Sequence, residues 1–351
     1  MPKLSIIIPL YNKEREIKRT ILSVLNQDFS DLELVIVNDG STDHSLDVVK
    51  DIKDDRIRII SQQNAGVSAA RNRGIAESRG EFILLLDADD ILLPGVFASI
   101  TEGEGYDVII GGFVQTDSNG NIVSRHINTV EGQLGDVFEE YWMRHFSIRM
   151  GNFLVKRIYL DNIEPFRIDL TLYEDLEWLL RLLTNAKVFV FNHVFMEYNR
   201  GESGLSRGFK PIEKDFAKMA TVKGEDDKYK KRIIADFVFR RFYSRIRSCD
   251  WRGAKVIWSH NAGRMLYCLF ASLSNYRVSK SSKNNIMTSN IKEEDNVLPG
   301  LSNTVLGIRR IMNNLRSRYM LNVRYSGICW GGVKPLSAYL VVQKFGHLTK
   351  M

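Results

Sequence analysis

The first hundred residues alternate short apolar runs with stretches in which apolar side chains recur at helical spacing. Residues 4–8, 32–37, 57–60 and 82–86 are apolar and partly β-branched, the composition of strands buried on both faces. Between them, Ile17, Ile21, Val24 and Leu25 repeat with the helical period, as do Val48, Val49 and Ile52 after a start at Asp43 or His44. A third helix over residues 67–77 carries Ala69, Ala70 and Ala76, small side chains that let a helix lie close on a sheet. Strand–helix alternation at this spacing predicts right-handed βαβ units and a parallel, doubly wound sheet. Such sheets bind ligands beyond the carboxyl ends of their strands, which singles out loops 9–12, 38–43, 61–68 and 87–90.

After residue 105 the pattern changes. Residues 107–115 and 122–126 flank Asp117-Ser118-Asn119-Gly120-Asn121, a good hairpin turn. A helix near 134–146 and a strand near 152–155 are expected next. A helix then begins near Tyr173, with Leu176, Leu179, Leu180 and Leu183 as its apolar face. Strands near 187–191 and 194–198 close this half, and the polar, Gly/Ser-containing residues 201–208 form a boundary. The expected architecture is α/β: a mostly parallel, Rossmann-like sheet flanked by helices over 1–205, and a basic, mainly helical extension over 206–351. A disorder-prone link falls at 279–296.

Three carboxylates, Asp87, Asp89 and Asp90, crowd the end of the apolar strand 82–86. Like charges repel there and desolvation is costly, a conflict that a hard divalent cation, manganese or magnesium, resolves while sharing its remaining positions with phosphate oxygens. Helix capping accounts for one Asp, not for three. The stretch Val37-Asn38-Asp39-Gly40-Ser41-Thr42-Asp43 offers a tight turn at Gly40 and an acceptor at Asp39, or simply ordinary turn and cap chemistry. Gly66 and Ser68 open either a helix whose backbone N–H groups can face an anion, with Arg71 one turn in, or an ordinary capped helix with solvated arginines. No Gly-x-Gly-x-x-Gly follows the first strand and no phosphate-loop Gly-Lys-Ser/Thr occurs, which argues against a dinucleotide dehydrogenase and a phosphate-loop nucleotidase.

Ser5-Ile6-Ile7-Ile8-Pro9-Leu10-Tyr11-Asn12, residues 35–43, residues 66–74 and the run from Arg79-Gly80-Glu81-Phe82 through Asp90 resemble the inverting family 2 glycosyltransferases of the GT-A fold, over about residues 3–205. The resemblance implies a nucleotide-sugar donor site made by Pro9, Tyr11, Asn12, Asp39, Arg71, Asp87, Ala88, Asp89 and Arg200. Tyr11 and Asp39 would hold the nucleoside, Arg71 the base or diphosphate, and Asp87 the ribose side. Asp89 would ligate the Mn²⁺ or Mg²⁺ that bridges the diphosphate, while Arg200 would reach the diphosphate from the segment 198–207; Asp90 has no role fixed by the resemblance. In Tyr173-Glu174-Asp175-Leu176-Glu177-Trp178 it implies Asp175 as the general base toward an acceptor hydroxyl. Trp142 and Trp178 are candidates to stack on a sugar ring, or core residues.

Charge divides the chain. Residues 1–205 hold 21 Lys and Arg against 32 Asp and Glu, and residues 206–351 hold 28 against 10. An acidic module joined to a basic one suggests a catalytic part attached to something that meets an anionic surface. Residues 306–321 suit an amphipathic helix, with Ile308, Ile311, Met312, Leu315 and Tyr319 flanked by Arg309, Arg316 and Arg318. No recognition motif for nucleic acid accompanies the basic charge. With no apolar run of membrane-spanning length and no cleavable leader pattern, the expectation is a cytoplasmic enzyme, peripheral on the inner face of the plasma membrane, acting on a glycan or lipid-linked acceptor in bacterial surface polysaccharide synthesis. An inactive nucleotide-binding scaffold and a sugar nucleotidyltransferase are the alternatives.

Overall fold

The computed structural model describes residues 1–117, 119–199, 211–218, 220 and 227–265. In chain order the first half runs β1 (Leu4–Leu10), α1 (Ile17–Leu25), β2 (Leu32–Asp39), α2 (Ser45–Asp51), β3 (Ile57–Gln62), α3 (Val67–Glu77) and β4 (Phe82–Leu85). It continues with β5 (Ile91–Leu92), α4 (Ala98–Glu102), β6 (Val108–Thr116), β7 (Ile122–His126), β8 (Gly132–Gln133), α5 (Val137–Trp142), β9 (Phe153–Lys156), α6 (Arg157–Leu160), α7 (Glu174–Leu182), β10 (Val188–Asn199) and α8 (Lys228–Arg247).

One sheet has the order β3-β2-β1-β4-β9-β6-β10-β5, with β7 on β6 and β8 on β10. The β3-β2-β1-β4 half is parallel, as the βαβ reading requires, and β6 and β10 are parallel to each other. β9 runs antiparallel between β4 and β6 and joins the two halves.

The apolar runs of β1, β2 and β4 are buried on both faces because helices cover both; the run 57–60, expected to be buried as well, lies in the edge strand β3, where it is only half-buried and Ile59 is exposed. Leu4, Ile6, Ile8 and Leu10 alternate onto one face, where they pack with Leu34 and Ile36 of β2 and with Ile17, Ile21, Val24 and Val49 from α1 and α2. The opposite face takes α3. There Ala70 and Gly74 are buried, and a Cβ at Gly74 would collide with Cγ2 of Ile7. Ala76, read from the sequence as a sheet-facing residue, is exposed; Gly74 sets the close approach.

Two other expectations change. The strands near 187–191 and 194–198 are a single strand, β10, whose register on β6 slips between Val190 and Met196, so the irregularity is a bulge and not a break. The helix expected at 134–146 is limited to α5, capped by the Asp136 carboxylate, which accepts from the amides of Phe138 and Glu139.

The chain forms two compact units, the first running from Met1 through Phe237. In this unit the start of α8 packs on the sheet domain: Lys230 Nζ donates to Thr184 Oγ1 at 2.7 Å and lies over the Phe138 ring. In the second unit the rest of α8 is followed by helical residues 251–265, with Phe242 and Trp258 in contact and Arg245 paired to Asp250 at 2.8 Å. Among the described residues no helix is long and apolar enough to cross a membrane. Residues 279–296 and 306–321 lie outside the described residues.

Candidate functional site

The loops at the carboxyl ends of β1 to β4 are tied together by side chains. Asn12, at φ 50°, points its amide across to loop 41–45, where its Oδ1 accepts from Thr42 N at 2.8 Å. The Asn12 amide in turn donates to Ser41 Oγ, and the Lys13 amide to Ser45 Oγ at 2.7 Å. Asn12 thus fixes the loop, and Pro9 and Tyr11 lie half-buried beside it. Gly40 is at φ 71° with Asn64 N packed against it, so the turn after Asp39 needs glycine.

Asp39 is buried and its carboxylate is surrounded by donors: Gln62 Nε2 at 2.8 Å and the amides of Ala65 and Gly66 at 2.9 Å. The sequence suggests an external anion for the amides entering α3. Two of them face this one, supplied by the chain itself.

The three carboxylates after β4 part company. Asp87 Oδ1 accepts from Arg71 Nη2 at 2.7 Å. Asp89 Oδ2 is 2.6 Å from Lys13 Nζ. Asp90 is buried, accepts from the amide of Asn199 at 3.1 Å, and leaves Oδ2 without a partner. Burial pushes the Asp90 carboxyl well above its ordinary pKa, the charges of Asp87 and Asp89 add to this, and the Asn199 amide and Arg149 oppose it. Two resident cations and one desolvated acid therefore relieve the repulsion that the sequence assigned to a metal. Among the described residues no group of three or more His, Cys, Asp or Glu side chains converges on a metal position. The donor chemistry nonetheless fits a hard cation: magnesium-type sites use one or two carboxylates plus substrate phosphates, and the Lys13 ammonium already places a cation against Asp89.

α1 buttresses this loop. Thr20 Oγ1 donates to the Ala88 carbonyl at 2.9 Å, and Ser23 Oγ accepts from Leu92 N at 3.0 Å. The carbonyl of Ala88, a candidate donor contact, is thereby engaged within the fold.

Arg71 is buried, and only its Nη2 is paired; Nε and Nη1, with Ser68 Oγ nearby on α3, have no partner. Burial alone would weaken its charge. Asp87 and, after it, Asp175 and Glu174 outweigh that and hold the guanidinium cationic, so both the loop after β4 and the start of α7 act on this one group. Orphaned buried donors are what an absent acceptor leaves behind. The guanidinium also lies over the Phe166 ring, 5.5 Å from its centroid.

Asp175 sits half-buried in the first turn of α7, its Oδ1 accepting from the Leu176 amide at 2.7 Å. The helix starts from Tyr173 at φ 60°, and the entry is fixed by residues 211–218: Leu172 bridges to Asp215, and Thr171 N donates to the Lys214 carbonyl at 3.0 Å. Glu177, one turn on, is buried and holds Arg181 at 2.8 Å, which caps the carbonyls of Glu164 and Pro165. Trp178 is buried against Phe166 and is a core residue. Arg200 lies outside the described residues.

Several functional candidates had no sequence signal, because their partners come from distant elements. Lys13 follows the Tyr11-Asn12 pair without a periodic role. Arg149 stacks over the Tyr198 ring at 3.3 Å and the Phe113 ring at 5.0 Å, and its charge reaches Asp90.

Residues 5–168 match the model of glycosyl transferase family 2. The chain is 40% identical over 124 residues to the uncharacterized glycosyltransferase EpsJ of Bacillus subtilis (strain 168), a match covering 34% of this chain and 36% of EpsJ. It thus spans about a third of that relative's length. It is 27% identical over 292 residues to the GalNAc(5)-diNAcBac-PP-undecaprenol beta-1,3-glucosyltransferase of Campylobacter jejuni, covering 78% of this chain and 89% of the relative. Among solved structures it is similar to S. aureus TarS 1-349, with TM-score 0.61 and 19% identity over 88% of this chain and 91% of TarS. The same protein in complex with UDP-GlcNAc gives TM-score 0.58 at 22% identity over 68% and 72%. The fold is that of GT-A-type glycosyltransferases, and residues 5–168 carry the match to glycosyl transferase family 2.

Proposed function

We propose that the chain transfers a monosaccharide from a UDP-linked donor to a hydroxyl of a glycan or lipid-linked oligosaccharide, with inversion and with a divalent cation. The observation that carries this reading is Arg71: one buried guanidinium with two unused donors, paired to Asp87 on the donor side and electrostatically coupled to Asp175 on the acceptor side. The UDP-GlcNAc held by TarS supports a UDP-sugar, and the undecaprenol-linked acceptor in the Campylobacter relative's name supports a lipid-linked glycan. The excess of basic charge over 206–351 supports a seat at an anionic membrane surface on the cytoplasmic side.

The residues divide the work as follows. Asp39 and Tyr11 line the nucleoside end, and Arg71 donates to the nucleotide with the N–H groups that the fold leaves free. Asp175 accepts the proton of the acceptor hydroxyl as that oxygen bonds to the anomeric carbon. The bond from that carbon to the diphosphate oxygen breaks with its electron pair, and UDP departs from the opposite face. Manganese or magnesium held by Asp89 would supply charge stabilisation for the departing diphosphate. A single displacement inverts the anomeric centre.

The test combines nucleotide release, measured with UDP-sugars and Mn²⁺, with the anomeric configuration of the product by NMR. Turnover that yields UDP, inverts the anomeric centre and falls about 10²–10⁴-fold in Asp175→Asn is expected. Pyrophosphate release would identify a nucleotidyltransferase, and nucleotide binding without turnover would identify a binding protein.

A further inference from the structure

Each carboxylate after β4 has a different answer to its charge, and the answer for Asp89 is the one that must change. Asp87 keeps a buried partner in Arg71, and Asp90 is desolvated and sealed against Asn199. Asp89 faces Lys13, whose side chain is 15% exposed against 27% for its partner, so the pair is partly shielded from solvent and salt. The resident charge at this spot is therefore an ammonium, in the place where the proposed function puts a divalent cation.

We propose that Lys13 is a resident counter-ion that keeps Asp89 unavailable to a divalent cation until a nucleoside diphosphate draws the ammonium away. This rests on the metal-dependent reading above and adds an order to it: donor diphosphate first, cation with it or after.

Three observations carry the argument. The first is occupancy. The ammonium is 2.6 Å from Asp89 Oδ2, and Asp87 and Glu16 also favour its charge, so a second cation entering there meets a like charge at contact range. The second is how Lys13 is mounted. Its backbone is pinned, with the amide on Ser45 Oγ and the preceding Asn12 locked to Thr42, while the charge sits at the end of a flexible four-carbon stem. The ammonium can swing while its root stays fixed. The third is place. Lys13 leaves the same loop as Tyr11, at the carboxyl end of β1, beside the end of β4 that carries Asp87. An ammonium is a natural phosphate partner as a point charge, and a diphosphate carries more charge than one carboxylate. Arg71 is unsuited to this exchange, because it is buried and packed on Phe166.

The experiment measures Mn²⁺ binding by electron paramagnetic resonance on the full chain, without any sugar, in the wild type, Lys13→Met and Lys13→Arg. Without nucleotide, Lys13→Met is expected to bind Mn²⁺ at least tenfold more tightly than the wild type, and Lys13→Arg to resemble the wild type. In EDTA, Lys13→Met is expected to bind UDP at least fivefold more weakly while binding uridine unchanged, a contrast that general damage to the fold would not produce. Equal nucleotide-free Mn²⁺ affinity in wild type and Lys13→Met overturns the proposal, as does a parallel loss of UDP and uridine. Should Lys13→Met fail to fold, Lys13→Gln is read in the same way. If the wild type binds no Mn²⁺ even with UDP, the metal reading itself falls and this inference with it; if it does bind but Lys13→Met changes nothing, only the inference falls.

Discussion

The ring of Phe166 lies flat against the indole of Trp178, with centroids 4.2 Å apart and planes 15° from parallel. Arg71 rests on the same ring, and Asn72 grips the Phe166 backbone at both ends, accepting from its amide at 2.8 Å and donating to its carbonyl at 2.9 Å. Phe166 is thus the wedge between α3, which carries Arg71, and α7, which carries Asp175. Arg71 and Asp175, the two ends of the proposed site, are held by one packed unit, and motion of one relative to the other is restrained by stacking as well as by hydrogen bonds.

Arg71→Lys tests the donor half. Lysine keeps the charge and loses both the planar fork and the stacking on Phe166. The expected outcome is a folded protein whose UDP affinity, by isothermal calorimetry, falls about tenfold or more, or about 1.4 kcal/mol. Unchanged affinity would mean that the free N–H groups of Arg71 are not nucleotide donors.

Thr20→Val tests the support beneath the donor loop. Valine matches the shape of threonine but leaves the Ala88 carbonyl without its buried donor. A loss of about 1–3 kcal/mol in denaturant unfolding is expected, with Thr20→Ser restoring most of it. Because the carbonyl lies between Asp87 and Asp89, UDP binding weakens along with stability.

The parallel half of the fold was legible because β1, β2 and β4 carry apolar runs and α1 and α2 between them repeat at the helical period. Residues 67–77 are the helix that the sequence predicts, yet the residue that decides its approach, Gly74, carries no side chain to reveal it. Gly74→Ala is expected to destabilise the domain by about 1–3 kcal/mol, since Ile7 and Val37 leave no room. The site was legible as a set of motifs and not as a set of partners. The sequence places Asp87, Asp89 and Asp90 side by side, but whether a metal, an arginine, a lysine or burial neutralises each depends on residues 13, 71 and 199, brought in by other elements. Asp39 shows the same limit: a turn residue by composition, it closes the entrance of α3 because β3 delivers Gln62 and the loop delivers two amides. The bulge that makes 188–199 one strand left no mark, because its apolar pattern reads as two short strands separated by a polar turn.

The last prediction concerns the opposite end of the sheet. Glu33, at the start of β2, accepts from Ser5 Oγ at 2.6 Å, from the Arg79 amide and from Arg58 Nη1 at 2.9 Å, so it ties β1, β2, β3 and the turn before β4 together. Burial alone would push its carboxyl up; the Ser5 hydroxyl, the Arg79 amide and the Arg58 guanidinium outweigh burial and hold it below the usual value of 4.5. A folded-state value below the unfolded one means that the unfolded chain binds the proton more readily as pH falls. The stabilisation is therefore complete above the unfolded value and is lost as pH drops through the folded one. Glu33→Gln is expected to cost about 1–3 kcal/mol near neutral pH, because the amide sets an N–H group among donors. The gap between variant and wild type should close as the pH falls below 4.5 and through the lowered folded-state value, measured by urea unfolding across a pH series. Ser5 and Glu33 lie at the amino ends of their strands, away from loops 9–12 and 38–43, so UDP affinity at neutral pH stays unchanged in the folded variant. A gap that persisted in acid would mean that the shape of the side chain, and not its charge, holds the three strands.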